Sequence, residues 1–497
     1  MAVATIFTRA MRGITAESVS VEVHLSNGLP NFCLVGLPEL AVKESRERVR
    51  SALKNSGFEF PIKRITVNLA PADLPKQGGR YDLAIALGIL AASQQLPPHA
   101  IGDREYLGEL ALDGSLRVVH GTLAAAMAAS ASGRTLVCPS QEHEPAALSD
   151  NQVFHASSLR SLCDQLALQH PLTPCPNAET ASTDVQPDLR DVIGQKEAKY
   201  GLALAAAGRH HLLFHGIPGA GKSMLAKRLA PLLPACTLTE SLEIQSVYSA
   251  VGKTHPFGTR PFRAPHHSAS AAALIGGGNP PQPGEITFAH GGVLFLDELA
   301  EFPRHILDHL REPLENRQIH ISRSGHRVNF PASFQLIGAT NPCPCGYFGT
   351  ASCRCSQAQV DRYQSRLSGP LLDRFDLMIE LKPVAMTEWI NGKNGSQTSS
   401  DETRGQVAKA RARQLERQGC FNSDLSSSQL AEVAPLSLSL KQQLAKICEQ
   451  RGWSMRAWDR IHRLALTIAD FHASEGIELN HLMQAIHFRS ASLSPKD

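Results

Sequence analysis

The run Gly216-Ile217-Pro218-Gly219-Ala220-Gly221-Lys222-Ser223 constrains this chain more than any other stretch. It lies between a short apolar segment, His211-Leu212-Leu213-Phe214-His215, and an amphipathic one, Met224-Leu225-Ala226-Lys227-Arg228-Leu229. Strand, glycine-rich turn and helix in that order are what a phosphate cradle needs. The glycines let the loop turn its N–H groups inward, and the helix N-terminus adds a favourable dipole. On this reading Lys222 reaches the β and γ phosphates of a nucleoside triphosphate, and the Ser223 hydroxyl ligates magnesium. Gly216 to Met224 is therefore the expected nucleotide-binding segment, with ATP and Mg2+ as its ligands. A loop of this kind needs a parallel sheet beneath it, so the centre of the chain is expected to be α/β.

Composition adds limits. At 497 residues the chain is long enough for two or three domains. A 42% hydrophobic and 19% charged content is that of an ordinary globular protein. No apolar run is long enough to span a bilayer, and the start lacks a basic-then-apolar secretory signal, so a cytoplasmic protein without a membrane partner is expected. The net charge of +3 permits nucleic acid as a partner without arguing for it, so any such case must be local. Eleven cysteines in a chain this long do not form a disulfide scaffold.

Periodicity divides the chain into five parts. Residues 1–167 read as α+β: Val19 to Leu25 and Ile65 to Leu69 alternate as strands, while Ala41 to Ser56 and Leu83 to Ala92 read as helices. Residues 168–187 are rich in Pro, Thr, Asn and Ser and read as a linker. Residues 188–383 hold the nucleotide-binding module. Residues 384–424, with a polar stretch from Asn391 to Thr403, read as a second linker. Residues 425–497 carry apolar positions three and four apart and read as an all-α lid.

A phosphate cradle alone implies binding, not hydrolysis. Gly292-Val293-Leu294-Phe295-Leu296-Asp297-Glu298 supplies the second half, an apolar strand ending in two carboxylates. Asp297 is placed to hold magnesium and Glu298 to polarise an attacking water. Phe334 to Thr340 reads as a further strand, ending in Asn341, a polar tip able to sense a γ-phosphate. Leu371-Leu372-Asp373-Arg374-Phe375-Asp376 and Ser454-Met455-Arg456-Ala457 contribute Arg374 and Arg456, each of which also fits a plain surface ion pair. The series resembles the AAA+ ATPases, with Walker A, Walker B, sensor 1 at Asn341, an arginine finger at Arg374 and sensor 2 at Arg456. The resemblance implies that Arg374 acts on a neighbour's nucleotide within a ring.

Lys222 and Asp297 are 75 residues apart, more than the module needs. The excess contains Arg260-Pro261-Phe262-Arg263-Ala264-Pro265-His266-His267 and a Gly- and Pro-rich run from Leu274 to Glu285, expected to be an irregular protruding loop. Further on, Gln318 to Arg323 and His326 to Phe330 flank Ser324-Gly325 and read as a hairpin with a basic tip. Both insertions resemble those of magnesium-chelatase motor subunits and minichromosome-maintenance helicases, where they line a ring's pore. Arg263, Arg323, His326 and Arg327 are the candidate DNA contacts, against the plainer reading of a solvated hairpin tip.

In the first domain, Asn68 to Leu83 and Gly108 to Arg117 resemble the segments around the catalytic serine and lysine of Lon-type proteases. Arg80 and Leu123 stand where those residues belong, so an inactive Lon-like domain is expected. Cys343, Cys345, Cys353 and Cys355 form two Cys-x-Cys pairs within thirteen residues. Four thiolates there suit a tetrahedral Zn2+, and free thiols or an oxidation-sensitive loop are the alternatives. The Lon-like start, the chelatase-type module and the Asn341-Pro342-Cys343-Pro344-Cys345-Gly346 run together resemble the bacterial ComM/YifB-like family over nearly the whole chain. That resemblance implies a homohexameric, ATP-driven DNA helicase that promotes branch migration on single-stranded and branched DNA during recombination in natural transformation. The rival reading is a magnesium-chelatase-like remodeller of a protein or tetrapyrrole partner.

Overall fold

A computed structural model describes residues 2–141, 152–175, 187–323, 326–384, 386 and 398–490. It divides into two compact units, one of residues Met1–Ala181 with Leu238–Gly258, the other of Ser182–Thr237 with Thr259–Asp497. Among the described residues no helix is long and apolar enough to cross a membrane.

The first unit is built on an eight-stranded mixed sheet. Its strands are β1 (Ala2–Arg12), β2 (Thr15–Ser26), β3 (Asn31–Val35), β4 (Arg64–Ala70), β5 (Arg104–Tyr106), β6 (Thr135–Pro139), β7 (Val153–Ala156) and β8 (Thr173–Pro174). They lie in the order β8-β7-β6-β5-β1-β2-β4-β3. β1 and β2 form a long antiparallel ladder from Ala2↔Leu25 to Arg12↔Thr15. The alternation from Val19 to Leu25 puts Val19, Val21, Val23 and Leu25 on the covered face, as a half-buried strand requires. The helix α1 (Ser45–Asn55) and the wholly buried α2 (Asp82–Ala92) pack in this unit. Two charged pairs sit inside it, Arg9 on Glu105 at 2.6 Å and Arg48 on Asp82 at 2.7 Å. Burial pushes the Asp82 carboxyl up, and the Arg48 guanidinium opposes that shift. Arg80 is buried and donates to the His120 carbonyl, and Leu123 is fully buried at the start of α3 (Thr122–Ala131). The helix Leu238–Ser249 also belongs to this unit and meets α3 where Gly121 N–H donates to Ser249 O at 2.9 Å.

The second unit has a five-stranded, all-parallel sheet. Its first elements are α5 (Lys196–Gly208), β9 (Leu212–Gly216), α6 (Lys222–Ala226), β10 (Phe262–Arg263) and β11 (Val293–Leu296), once α4 (Leu159–Ala167) is counted in the first unit. They are followed by α7 (Arg311–Asn316), the hairpin β12 (Gln318–Arg323) and β13 (His326–Pro331), then β14 (Gln335–Thr340), α8 (Gln357–Gln364) and β15 (Leu377–Leu381). The sheet order is β10-β11-β14-β9-β15. A parallel sheet covered on both faces needs strands that are apolar throughout, and β11 and β14 are buried at every position. Leu212 and Phe214 join the cluster formed with α5 and the C-terminal helices, while Leu213 faces Gly338 on the neighbouring strand.

Two expectations are corrected in this unit. The run around Arg260–Glu285 is not wholly irregular: β10 pairs with β11 as the sheet's edge, and short elements follow, from Ala271–Ile275 to Glu285–Phe288. Nor are residues 384–424 a tether throughout. Ser399 opens a 19-residue helix, α9 (Ser400–Gln418), through a capping box with Glu402. Asn391 to Gln397 lie outside the described residues, as do residues 176–186 of the expected first linker. The helix was hard to see because its buried face is largely polar. The last carbonyls of α5 have no partners within their own helix. Arg411 Nε donates to Ala206 O at 2.9 Å and Gln414 Nε2 to Ala207 O at 3.3 Å, while Gln335 Nε2 takes Ala205 O at 2.8 Å. Val407 and Ala410 complete the buried stripe. The lid continues with α10 (Leu438–Arg451), α11 (Met455–Phe471) and α12 (Leu479–Ser490).

In the hairpin, Ile319, Ile321, Val328 and Phe330 point inward and anchor its base, with Arg323 opposite His326 at the tip. Arg327 is exposed. Ser324-Gly325 and the side chains of Arg323 and His326 lie outside the described residues. If α9 is an integral part of the unit, Val407→Ala costs about 2 kcal/mol. The exposed Leu415→Ala on the same helix costs less than about 0.5 kcal/mol. Urea denaturation of the two variants checks this.

Candidate functional site

Three neighbouring strands, β11, β14 and β9, end along one edge of the parallel sheet. Because they are parallel and in register, the residues that follow them are brought together at their carboxyl ends, where open α/β sheets bind ligands. β9 delivers the loop Ile217–Gly221, β11 delivers Asp297 and Glu298, and β14 delivers Asn341. Gly221 has φ of 96°, a left-handed conformation that favours glycine, and there the loop turns into α6. Ile217, Pro218, Gly219 and Met224 are at least partly exposed beside it, whereas Ala220 is buried.

Lys222 is the junction of the site. Its ammonium carries three N–H groups, and three acceptors meet it: Gly216 O at 2.6 Å, Ile217 O at 3.0 Å and Asn341 Oδ1 at 2.9 Å. Burial lowers its pKa, against the opposing charges of Asp297 and Glu298. These oxygens occupy the ammonium as phosphate oxygens would, so the donor set fits a triphosphate. Ser223 Oγ donates to Asp297 Oδ2 at 2.5 Å, and Glu298 N–H donates to the other carboxylate oxygen at 2.9 Å. A hydroxyl and a carboxylate in contact are a fitting donor pair for a hard divalent cation such as Mg2+.

Glu298 is exposed with φ of 50°, in the left-handed region, which aims its side chain away from the strand it follows. His267 Nδ1 lies 3.0 Å from Glu298 Oε2, and the His267 ring in turn packs on His266 at 4.1 Å. Sequence reasoning singled out this His-His pair only as part of an insertion. The missed signal was its place just after the edge strand β10, beside β11. Gln195 was missed too: its Nε2 donates to Ala220 O at 3.3 Å and Lys382 O at 2.7 Å, pinning the phosphate loop to the end of β15.

The cysteine cluster lies close by. The four sulfurs of Cys343, Cys345, Cys353 and Cys355 lie within 4.8 Å of one another, and none forms a disulfide. Separations of 3.3, 3.7 and 4.0 Å bracket the spacing of about 3.8 Å that a tetrahedral zinc imposes on its thiolates. Backbone N–H groups of Arg354 and Tyr347 bring the Cys345 thiol down to about 6, while the neighbouring sulfurs of Cys345 and Cys343 help to raise Cys353 and push Cys355 up to about 11. Gly346, with φ of 84°, lets this segment lie against the phosphate loop, for a Cβ there would stand 2.5 Å from Pro218 Cγ.

Arg374 and Arg456 take no part in the hydrogen bonds that join Lys222, Ser223, Asp297 and Asn341 to their partners. Arg374 pairs with Glu315 on α7, and Arg456 is exposed on the first turn of α11. Among the described residues neither bonds to Lys222, Ser223, Asp297, Glu298 or Asn341. The lid nevertheless grips the Arg374 loop. Arg460 Nη1 donates to Arg374 O at 3.0 Å and to Asp376 Oδ1 at 2.6 Å, and Arg489 donates to Phe375 O at 2.6 Å and Asp373 Oδ1 at 2.7 Å. Arg263, the remaining candidate DNA contact, is partly exposed, and both Glu285 carboxylate oxygens accept from its guanidinium, at 2.6 and 2.7 Å.

Comparison with known proteins matches three stretches of the chain. Residues 188–389 match the family described as magnesium chelatase, subunit ChlI, residues 21–142 the one described as subunit ChlI of Mg-chelatase, and residues 397–489 the ChlI C-terminal family. The chain is 47% identical to competence protein ComM of Haemophilus influenzae over 99% of this chain and 98% of that protein. It is 45% identical to the YifB proteins of Salmonella typhimurium and Escherichia coli, over 99% of this chain and 97% of each.

The close approach of Gly346 to Pro218 makes a prediction about both neighbours. Gly346→Ala is expected to cost about 1–3 kcal/mol of stability. It is also expected to weaken binding of a fluorescent ATP analogue, because the added methyl displaces the phosphate loop. Denaturation and a binding titration on the same protein check both effects.

Proposed function

The chain belongs to the ComM/YifB-like family of magnesium-chelatase-type AAA+ proteins, a family of ATPases that use ATP and Mg2+, and from that premise we propose that it is a DNA motor. In this reading six copies form a ring, hydrolyse ATP between subunits and move single-stranded and branched DNA, driving branch migration during homologous recombination in natural transformation. One observation carries its ATP-hydrolysing half: Lys222 bonds Asn341 and Ser223 bonds Asp297, side by side at the carboxyl edge of a parallel sheet. The competence name of a relative aligned over nearly its whole length supports the biological setting.

The residues divide the work. Lys222 and the loop N–H groups hold phosphate charge, Ser223 and Asp297 hold Mg2+, and Asn341 orients the terminal phosphate and water. The bound metal neutralises charge on the phosphates. Glu298 polarises the water, and His267 restrains Glu298 until the insertion that carries it moves. Arg374, whose loop is gripped by Arg460 and Arg489 of the lid, serves a neighbour's nucleotide, and Arg456, exposed on α11, acts as sensor 2. Arg323, His326 and Arg327 at the hairpin tip grip DNA phosphates. Cys343, Cys345, Cys353 and Cys355 hold one Zn2+ that braces the segment after Asn341 against the phosphate loop.

The second reading, a remodeller of a protein or tetrapyrrole partner, draws on the chelatase-subunit families that match all three parts of the chain. Single-stranded DNA separates the two. In the first reading it raises ATP turnover, and Arg327→Ala flattens the salt dependence of DNA binding by about one counterion per chain while basal ATPase persists. Turnover indifferent to DNA, together with an unchanged salt slope in Arg327→Ala, favours the remodeller. For the metal, analysis of purified protein is expected to find about one zinc per chain. A Cys353→Ser, Cys355→Ser double variant is expected to lose it, and unchanged metal content removes the zinc assignment.

A further inference from the structure

A cavity of about 400 Å³ lies in the second unit, walled by α7, the segment Ser423–Ser426 and α11. Five arginines line it: Arg209, Arg317, Arg374, Arg460 and Arg463. They face three carboxylates. Arg374 pairs with Glu315, Arg460 with Asp376 at 2.6 Å, and Asp424 is shared by Arg317 and by Arg209 at 3.8 Å. Among the described residues the Arg463 guanidinium makes no hydrogen bond or ion pair, and the Nε atoms of Arg463 and Arg374 are buried without a partner. The Arg463 guanidinium thus sits without a hydrogen-bonding partner in a partly enclosed, arginine-rich space, at a cost that an anion would reduce.

We propose that this cavity is a binding site for a compact phosphate-class oxyanion, inorganic phosphate or pyrophosphate. Planar guanidinium forks converging from different elements suit a tetrahedral dianion, which accepts from several directions at once. The rest of the wall is largely apolar, with Leu314, Phe334 and Leu425, and the Ser423 and Ser426 hydroxyls and the His211 ring are its other polar side chains, able to donate to further oxyanion oxygens. The site is separate from the phosphate loop, since no lining residue comes from Gly216–Met224. An anion there competes with Glu315 for Arg374, so occupancy bears on where that arginine points. The binding itself does not depend on Arg374 serving a neighbour.

Thermal unfolding of the full chain tests this, with sodium phosphate or pyrophosphate compared against sodium chloride of equal ionic strength and no Mg2+ present. The phosphate loop is the rival site, so the comparison is made in Lys222→Ala protein. That variant is expected to keep an oxyanion-specific rise in Tm. Adding Arg463→Gln should abolish the rise, and adding Arg463→Lys should restore part of it. A rise that persists undiminished in Lys222→Ala, Arg463→Gln protein overturns the assignment, as does the lack of any rise in Lys222→Ala alone. If Arg463→Gln does not fold, the same comparison with Arg317→Gln decides. Stabilisation by an oligothymidylate but not by free phosphate also overturns it, placing phosphodiester rather than free oxyanion at the arginines.

Discussion

The candidate site depends on one buried ammonium. Lys222 bonds two carbonyls of its own loop and the amide of Asn341, and so ties the end of β9 to the end of β14. The tie works only because the strands are parallel and adjacent: Leu213↔Gly338 and Leu296↔Gly338 set the three strand ends level. A register slip in any of them would separate the groups and leave a desolvated cation without acceptors, which is expensive. The cysteine segment adds a second brace, since Gly346 packs on Pro218 only five residues after Asn341. Phosphate loop, Asn341 and cysteine cluster are therefore one mechanical assembly, on which the proposed hydrolysis rests.

A second assembly holds Arg374. Burial alone would raise the Asp376 carboxyl, but Arg460 and His210 hold it well below the usual carboxylate range. That carboxylate fixes Arg460, and Arg460 with Arg489 fixes the backbone of Asp373–Phe375. The position of Arg374 is thus set by two lid helices, α11 and α12. Burial lowers the pKa of Arg374, with Glu315 opposing and the nearby Arg460 and Arg456 adding to the shift. On the ring reading, a lid that shifts with nucleotide would carry the arginine with it.

The phosphate loop, the carboxylate pair, Asn341 and the hairpin were legible because local pattern decides them. Glycine spacing, an apolar run ending in acids, and strict alternation at Ile319, Ile321 and Val328 are all short-range signals. The α9 helix was not legible, because Arg411 and Gln414 are buried to satisfy carbonyls of a helix two hundred residues earlier. The Arg263–Glu285 pair was hidden for a similar reason, because an irregular stretch separates the two residues in sequence. His267, Gln195 and Glu315 act through partners that only the folded chain brings near.

The central claim is that the catalytic unit is shared between neighbouring copies, the phosphate loop from one and Arg374 from the next. Mixing Arg374→Ala protein with Lys222→Ala protein measures this directly. If each is inactive alone, mixed rings contain interfaces that pair an intact Arg374 with an intact Lys222. The account predicts that ATP turnover rises with mixing and is highest near equal proportions. Turnover that stays at the level of the separate variants at every ratio, in rings shown to contain both, would contradict it.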